Sequence, residues 1–383
     1  MSFRRKILFG VTSAVSLKLL GNLPQKMAEN GWQVHVVYGT GPDVWPSATD
    51  HLRTHYIAMK RNPSVVSDMI ALTRWLRLLV ELRPDVVSIG TPKASFIGLF
   101  AARLTGVPHR IYKLRGLRLE GVSGVSRKIL YWVEKFSASN ATKIVAVSHS
   151  LMAKYLSLGI TTPKKICVIG CGSSHGVDIS HFESGDAEEL RNKFPHLLEA
   201  SQAGRPILGF VGRFSMDKGA STLLKCKQSL DRSGIDTELV LVGPCEDGEE
   251  FISAMNLSGR PVTFTGPVED TAPFYDVIDI LLLPTKREGF PNVVLEAGAA
   301  GVPVVATSVT GVIDAVLGGK TGILAPEGDD EAFIVAVITL LSRPAEGRTM
   351  GEHSKLWVAR HFDHREVTRL HENFYNRLGS NQA

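Results

Sequence analysis

Short runs of β-branched and apolar residues alternate along this chain with longer stretches whose apolar positions recur every three or four residues. The first kind reads as buried strand and the second as amphipathic helix. In the first half the strand candidates are KILFGV (6–11), WQVHVVYG (32–39), THYIAM (54–59), DVVSIGT (85–91), HRIYKL (109–114), KIVAVS (143–148) and KICVIG (165–170). SLKLLGNLPQKMAENG and VVSDMIALTRWLRLLVELR are among the helical stretches between them. The alternation restarts with PILGFVG (206–212), ELVLVG (238–243), PVTFTG (261–266), DILLLPT (279–285), VPVVATS (302–308) and TGILAP (321–326). Such a pattern predicts an α/β protein of two doubly wound, parallel-sheet domains. The polar stretch 171–204 reads as a linker, and the segment HREVTRLHENFYNRL reads as a helix crossing back onto the first domain. Domains are therefore expected over 1–185 and 186–360, with a returning helix within 361–383. Ligands of open parallel sheets collect at the carboxyl ends of the strands, which makes the cleft between two such domains the expected site.

Charge adds an asymmetry to this layout. Up to residue 185 there are 24 Lys and Arg against 10 Asp and Glu, a balance of +14; the remainder holds 19 against 28, a balance of −9. A basic first domain suits anionic lipid or a phosphorylated acceptor. Nucleic acid is not expected, because the basic residues are spread through strands and helices without interleaved aromatics. No apolar run approaches the roughly 18 to 20 residues that span a bilayer, and the opening MSFRRKILFGVTSAV lacks a small-residue cleavage site. The chain reads as cytoplasmic, held peripherally at the inner face of the cell membrane. Cys167, Cys171, Cys226 and Cys245 lack metal-ligand spacing and read as free thiols.

Two segments carry candidate chemistry. REGFPNVVLEAGAAGVPVVATS (287–308) places Glu288 on a strand-to-helix loop and Glu296 in the helix beyond, with Pro291 at its start and Gly301 at its stop. Helix-start amides between the two carboxylates favour a phosphate, and carboxylates accept from sugar hydroxyls. The plain alternative is a capping Glu288 and a solvent-facing Glu296. GFVGRFSMDKGASTLL (209–224) also runs from strand to helix, bringing Arg213 and Lys218 to the strand's carboxyl end. Two cations there suit a pyrophosphate, with Gly212 and Gly219 admitting close backbone approach.

The combination GR(x)4KG at 212–219, TG-P at 265–267 and E(x)7E at 288–296 resembles the retaining glycosyltransferases of family 4, which have the GT-B fold of two Rossmann-like domains facing a central cleft. The resemblance implies a nucleotide-sugar donor, here UDP-linked, as substrate, with no metal and no resident cofactor. It implies that Arg213 and Lys218 neutralise the donor diphosphate and that Glu296 holds the ribose. Glu288 would bind the hexose, with the backbone at Gly289, Phe290, Pro291 and Asn292 beside it and Gly266 and Val268 near the base. LFGVTSAVSLKLLGNLPQKMAENGWQVHVV, TPKASFIGLFAARLTGVPHRIYKLRGLRLEG and VIGCGSSHGVD are similar to bacterial enzymes that build capsule, O-antigen and other glycans on polyprenyl-diphosphate carriers. That implies an acceptor bound by the first domain, with Thr12, Ser13 and Ser16 lining its site. Lys93 and Arg115 would meet acceptor phosphates; a solvated surface charge is the alternative for each.

The chain departs from the family where many members carry a histidine before a glycine: it reads Arg115-Gly116, and Ser88 and Gly90 stand at two other histidine positions. No catalytic histidine is therefore expected, and His109 reads as structural. The helical stretch SRKILYWVEKFSAS (126–139) is either packed on the sheet or in contact with a membrane interface. GFVGRF is no GxGxxG fingerprint, TSAVS lacks the G-x-S-x-G elbow, and the 12 histidines show no HExxH spacing. The expected reaction moves a hexose or N-acetylhexosamine from a UDP-sugar to a lipid-linked saccharide with retention. A UDP-sugar epimerase of the same fold and a non-catalytic nucleotide-sugar-binding subunit are the rivals.

Overall fold

The structure, a computed structural model, describes residues 5–39, 41, 51–60, 64–183, 188–247, 249–257 and 260–378. The chain divides into two compact units, one of Met1–His175 with Arg365–Ala383 and one of Gly176–His364. The first unit's sheet holds β1 (Lys6–Gly10), β2 (Gln33–Tyr38), β3 (Leu52–Tyr56), β4 (Val86–Gly90), β5 (His109–Leu114), β6 (Lys143–Ala146) and β7 (Ile166–Val168). They lie in the order β3-β2-β1-β4-β5-β6-β7, every pair parallel. The second unit's sheet holds β8 (Ile207–Val211), β9 (Glu238–Val242), β10 (Thr263–Gly266), β11 (Ile280–Leu283), β12 (Val304–Thr307) and β13 (Gly322–Ala325), in the order β10-β9-β8-β11-β12-β13. These pairs too are parallel.

Helices cover both faces of each sheet, so the inner strands VVSIG, ILGFV and ELVLV are buried at every position and apolar at all but Ser88 and Glu238. Strand order reverses between β1 and β4 in one sheet and between β8 and β11 in the other. Loops at the carboxyl ends part to opposite faces at such a point and leave a crevice.

Two segments differ from their sequence reading. The edge strand β3 begins two residues before THYIAM and ends at Tyr56, because Ile57 and Met59 turn into the core instead of extending the ladder. The stretch 171–204 is more than a linker. Outside 184–187, which lie beyond the described residues, it forms the helices Ile179–Glu183, Glu188–Lys193 and Pro195–Gln202 and buries Phe182, Leu190, Leu197 and Ala200. Its apolar residues are sparse, yet they fall on the inner face of each turn.

The helix His364–Leu378 packs on the first unit. Tyr375 is fully buried against Phe9, its hydroxyl 2.7 Å from the Ser88 hydroxyl. Trp32 Nε1 donates to Asn376 Oδ1 at 3.0 Å, and Thr368 donates to Asn22 Oδ1 at 2.6 Å.

Candidate functional site

In the second unit β8 and β11 are neighbours, and the loops 212–219 and 284–291 leave their carboxyl ends side by side. The first loop closes with a 3₁₀ turn, Met216–Lys218, and enters the helix Ala220–Arg232 through Gly219 at φ +89°. A Cβ on Gly219 would lie 2.1 Å from the Pro284 carbonyl oxygen, so only glycine lets the loops touch here. Asp217 ties them together: its carbonyl accepts from Lys286 N at 3.0 Å, and its carboxylate accepts from Ser215 Oγ at 2.6 Å and from Arg287 Nη2 at 2.9 Å. Burial acts to raise the Asp217 pKa, but the Ser215 hydrogen bond with Arg287, Lys218 and Arg213 holds it below the usual carboxylate value. Thr285 Oγ1 donates to the Arg287 carbonyl at 3.1 Å, and Thr307 Oγ1 from β12 donates to the Thr285 carbonyl.

Held in this way, Lys218 Nζ and Glu288 Oε1 form an ion pair whose side chains are 18 % and 16 % exposed. Arg213 pairs with Glu246 in the open, at 42 % and 41 % exposure. Gly311 backs the Glu288 loop: at φ +79°, a Cβ there would lie 2.4 Å from the Gly289 carbonyl oxygen. Gly289 is buried, and the Phe290 ring packs against Phe362 at a tilt of 48° with centroids 5.3 Å apart. Pro291 sits at the N-cap of the helix Asn292–Ala299, and Gly301, at φ +77°, follows its end.

Glu296, inside that helix, turns to a different set of groups. Its Oε2 accepts from the Tyr275 hydroxyl at 3.0 Å, and Tyr275 also reaches the Val293 carbonyl at 3.3 Å. Burial raises the Glu296 pKa above the usual carboxylate value, opposed by the Tyr275 hydrogen bond. His181 lies 2.9 Å from Asp270 Oδ1, and both act electrostatically on Glu296. Gly266 ends β10 at φ +67°, and Val268 lines an open pocket with Pro267, Asp270, Pro273, Asn192 and Lys193.

In the first unit the equivalent crevice lies between β1 and β4. The Thr12 amide donates to Thr91 Oγ1 at 3.0 Å, the two hydroxyls are 2.7 Å apart, and the Ala94 amide donates to Thr12 Oγ1 at 3.2 Å. Ser13 and Ser16 exchange a hydroxyl hydrogen bond at 3.1 Å. Lys93 is ion-paired with Asp68 at 2.7 Å, a partner the sequence reading did not supply. Arg115, just past β5, keeps Nε and Nη1 enclosed without a hydrogen-bond partner, and burial lowers its pKa to about 10. His109 opens β5 and is half-buried. Among the described residues no group of three or more His, Cys, Asp or Glu is placed to hold a metal ion, and no helix is long and apolar enough to cross a membrane. No disulfide joins any of the four cysteines.

The structure thus joins Lys218 to Glu288, sets Glu296 apart on Tyr275, and turns Arg213 to Glu246. Tyr275, Asp217 and Arg287 had no signal in the sequence, since their contacts link residues 21 and 70 positions apart.

Residues 205–343 match the family described as glycosyl transferases group 1, and residues 20–172 match the glycosyl transferase 4-like domain. The capsular polysaccharide biosynthesis glycosyltransferase CapM of Staphylococcus aureus is 33 % identical over 375 residues, 97 % of each chain. A UDP-Gal:α-D-GlcNAc-diphosphoundecaprenol α-1,3-galactosyltransferase of Escherichia coli is 27 % identical over 76 % of this chain and 75 % of its own length. In fold the chain is similar to the sucrose-phosphate synthase of Thermosynechococcus elongatus, with a TM-score of 0.83 at 21 % identity, covering 99 % of this chain and all of the other.

Proposed function

This chain belongs to the family 4 glycosyltransferases of GT-B fold, and from that premise we propose that it moves a hexose or N-acetylhexosamine from a UDP-sugar to a polyprenyl-diphosphate-linked saccharide. The anomeric configuration is retained, and the product feeds a bacterial surface polysaccharide. The observation that carries the reading is the Lys218–Glu288 pair at the β8/β11 crevice. A cation for a diphosphate and a carboxylate for sugar hydroxyls stand in contact there, on two loops braced by Asp217.

Bond breaking at the anomeric carbon leaves negative charge on the departing UDP. Lys218 and Arg213 stabilise that charge as it develops, which speeds the step because the attraction is stronger in the transition state than before it. These two cations take the role a divalent metal plays elsewhere, so a chelator leaves the rate unchanged. Glu288 fixes the hexose through its hydroxyls, Glu296 on Tyr275 holds the ribose, and Val268 with Gly266 supports the base beside the open pocket. The acceptor hydroxyl attacks from the face the leaving group departs. Its oxygen bonds to the anomeric carbon as the carbon–phosphate oxygen bond breaks, and its proton passes to the phosphate oxygen of UDP.

Acceptor binding falls to the first unit, where Thr12, Ser13, Ser16 and Arg115 stand at strand carboxyl ends; the Asp68 pair makes Lys93 the weaker phosphate contact. The E. coli relative, named for a diphosphoundecaprenol acceptor, supports a lipid-linked substrate here. So does the helix Gly124–Asn140, whose Val125, Ile129, Trp132 and Phe136 form one exposed apolar stripe, with Lys128 and Lys135 beside it. Trp132 is 64 % exposed, and Lys135 Nζ lies 5.4 Å from its ring centroid. Aromatic and aliphatic residues edged by lysines suit the surface of an anionic membrane.

The test is incubation of the protein with UDP-sugars and a short-chain prenyl-diphosphate saccharide. Acceptor-dependent UDP release and an axial linkage by proton NMR are expected. An isomerised sugar formed without acceptor indicates an epimerase, and nucleotide binding without turnover indicates a binding subunit; either result overturns the reading.

A further inference from the structure

Lys113, Arg115 and His371 are crowded together inside the first unit. Lys113 and Arg115 are two apart on and just past β5, so they leave the sheet on the same face. Gly90 lies opposite Lys113 in the β4–β5 register, and its missing side chain gives Arg115 room to cross the end of β4: a Cβ at 90 would lie 3.0 Å from Arg115 Nε. From the other side the helix His364–Leu378 brings in His371, whose Nδ1 is 3.2 Å from Lys113 Nζ. Lys113 is 4 % exposed and His371 2 %.

Among the described residues, none of these groups meets a carboxylate. Arg115 Nε and Nη1 and His371 Nε2 are enclosed with no hydrogen-bond partner. The other polar groups at the spot are the Ser88 and Tyr375 hydroxyls, bonded to each other, the Cys167 thiol, which acts electrostatically on Lys113, and His175, which adds to the positive field on His371. Burial and mutual repulsion push the lysine and histidine well below their ordinary values. Interiors rarely keep unpaired cationic donors, because each loses hydration with nothing in return. Enclosed donors without acceptors call for a particular explanation. A phosphate oxygen meets the requirement: it brings opposite charge and several acceptor sites, which suits a guanidinium, an ammonium and an imidazole together.

We propose that Lys113, Arg115 and His371 form an anion subsite of the first unit that takes a phosphate or diphosphate group, with Gly90 shaping its floor. The helix His364–Leu378 thereby contributes a ligand-binding side chain as well as packing. The natural source, the acceptor's diphosphate or free pyrophosphate, is a separate matter; naming the acceptor rests on the function proposed above, whereas the subsite does not.

The experiment is isothermal titration of the full chain with inorganic pyrophosphate under saturating UDP, which occupies the donor side. Binding is expected, weakened on the order of tenfold or more in Arg115→Gln and in Lys113→Met, as befits a lost charged hydrogen bond. Gly90→Ala, which displaces Arg115 without removing it, weakens binding less, and it serves where Lys113→Met does not fold. Binding raises the His371 pKa, seen as a downfield move of its ring proton in NMR. No binding, or equal affinity in wild type, Arg115→Gln and Gly90→Ala, overturns the subsite. KM values for a diphosphate-linked and an alkyl-linked saccharide then separate the sources. A larger rise for the diphosphate-linked acceptor in Arg115→Gln assigns the subsite to the acceptor, and equal ratios assign it to free pyrophosphate. Variant-sensitive pyrophosphate binding without any transfer leaves the subsite standing while the proposed reaction fails.

Discussion

Lys218 and Glu288 satisfy each other, so in the proposed reaction a donor exchanges partners with both at once: diphosphate for the lysine, sugar hydroxyls for the carboxylate. Breaking a largely buried pair from one side leaves an uncompensated charge. Glu288→Gln therefore leaves Lys218 seeking an anion, and UDP binds at least as tightly while kcat falls about 10²-fold or more, as for other lost transition-state contacts. Lys218→Ala acts oppositely on binding: UDP affinity falls about tenfold and kcat falls with it. Calorimetry with UDP beside initial rates separates the two patterns, and equal effects from both variants would show that the residues do not divide the donor in this way. Tyr275→Phe removes the hydroxyl that orients Glu296 and raises the donor KM by roughly tenfold with little change in kcat, the expected loss for one hydrogen bond to a charged group. Glu288, Glu296, Arg213 and Lys218 could be named as candidates from the sequence because each pair falls at a fixed offset within its own strand–loop–helix unit. Tyr275 and Asp217 could not, because their contacts are made between separate helices and separate loops.

At the scale of elements, the alternation of apolar runs and amphipathic stretches was enough to find the two parallel sheets, since a strand buried on both faces is apolar at nearly every position. Strand order is another matter: nothing in ILGFV or ILLL says that β8 and β11 adjoin, yet that adjacency is what brings Lys218 to Glu288. The stretch 171–204 misled for the opposite reason, since short helices with one or two buried residues each carry too little periodicity to register. The helix Gly124–Asn140 was read from sequence with two alternatives open, and its exposed Val125, Ile129 and Trp132 bear on the choice. Replacing Ile129 and Trp132 by serine removes apolar area at no cost to the core. Binding to vesicles containing anionic lipid should drop several-fold in sedimentation while the thermal midpoint holds. Unchanged vesicle binding would place the membrane contact elsewhere or nowhere.

For the molecule as a whole, the response to acid follows from where the buried histidines lie. His35, on β2 at 1 % exposure, sits with Nδ1 2.9 Å from His55 Nε2. Burial, with His55, Arg53 and Lys6, lowers its pKa to about 4, and burial also lowers those of His55 and His371. A histidine whose folded pKa lies below its unfolded value of about 6.5 stays neutral in the fold while the open chain takes up a proton. Stability from such a group is complete above the unfolded pKa and is lost as pH falls through the window from 6.5 toward 4. His35 alone accounts for about 3 kcal/mol at the bottom of that window, at 1.4 kcal/mol for each unit of displacement. The carboxylates held below their ordinary values, Asp217 and Asp330 among them, act in the same direction but only at lower pH, below about 4. Denaturant midpoints should therefore fall from pH 7 to pH 5, before any of those acids titrates. His35→Gln keeps a polar group beside His55 but cannot bind a proton, so its midpoints should fall less steeply over the same interval. A slope identical to wild type would mean that His35 is already free to protonate in the folded chain, and that the acid sensitivity over this interval has its origin in His55 or His371.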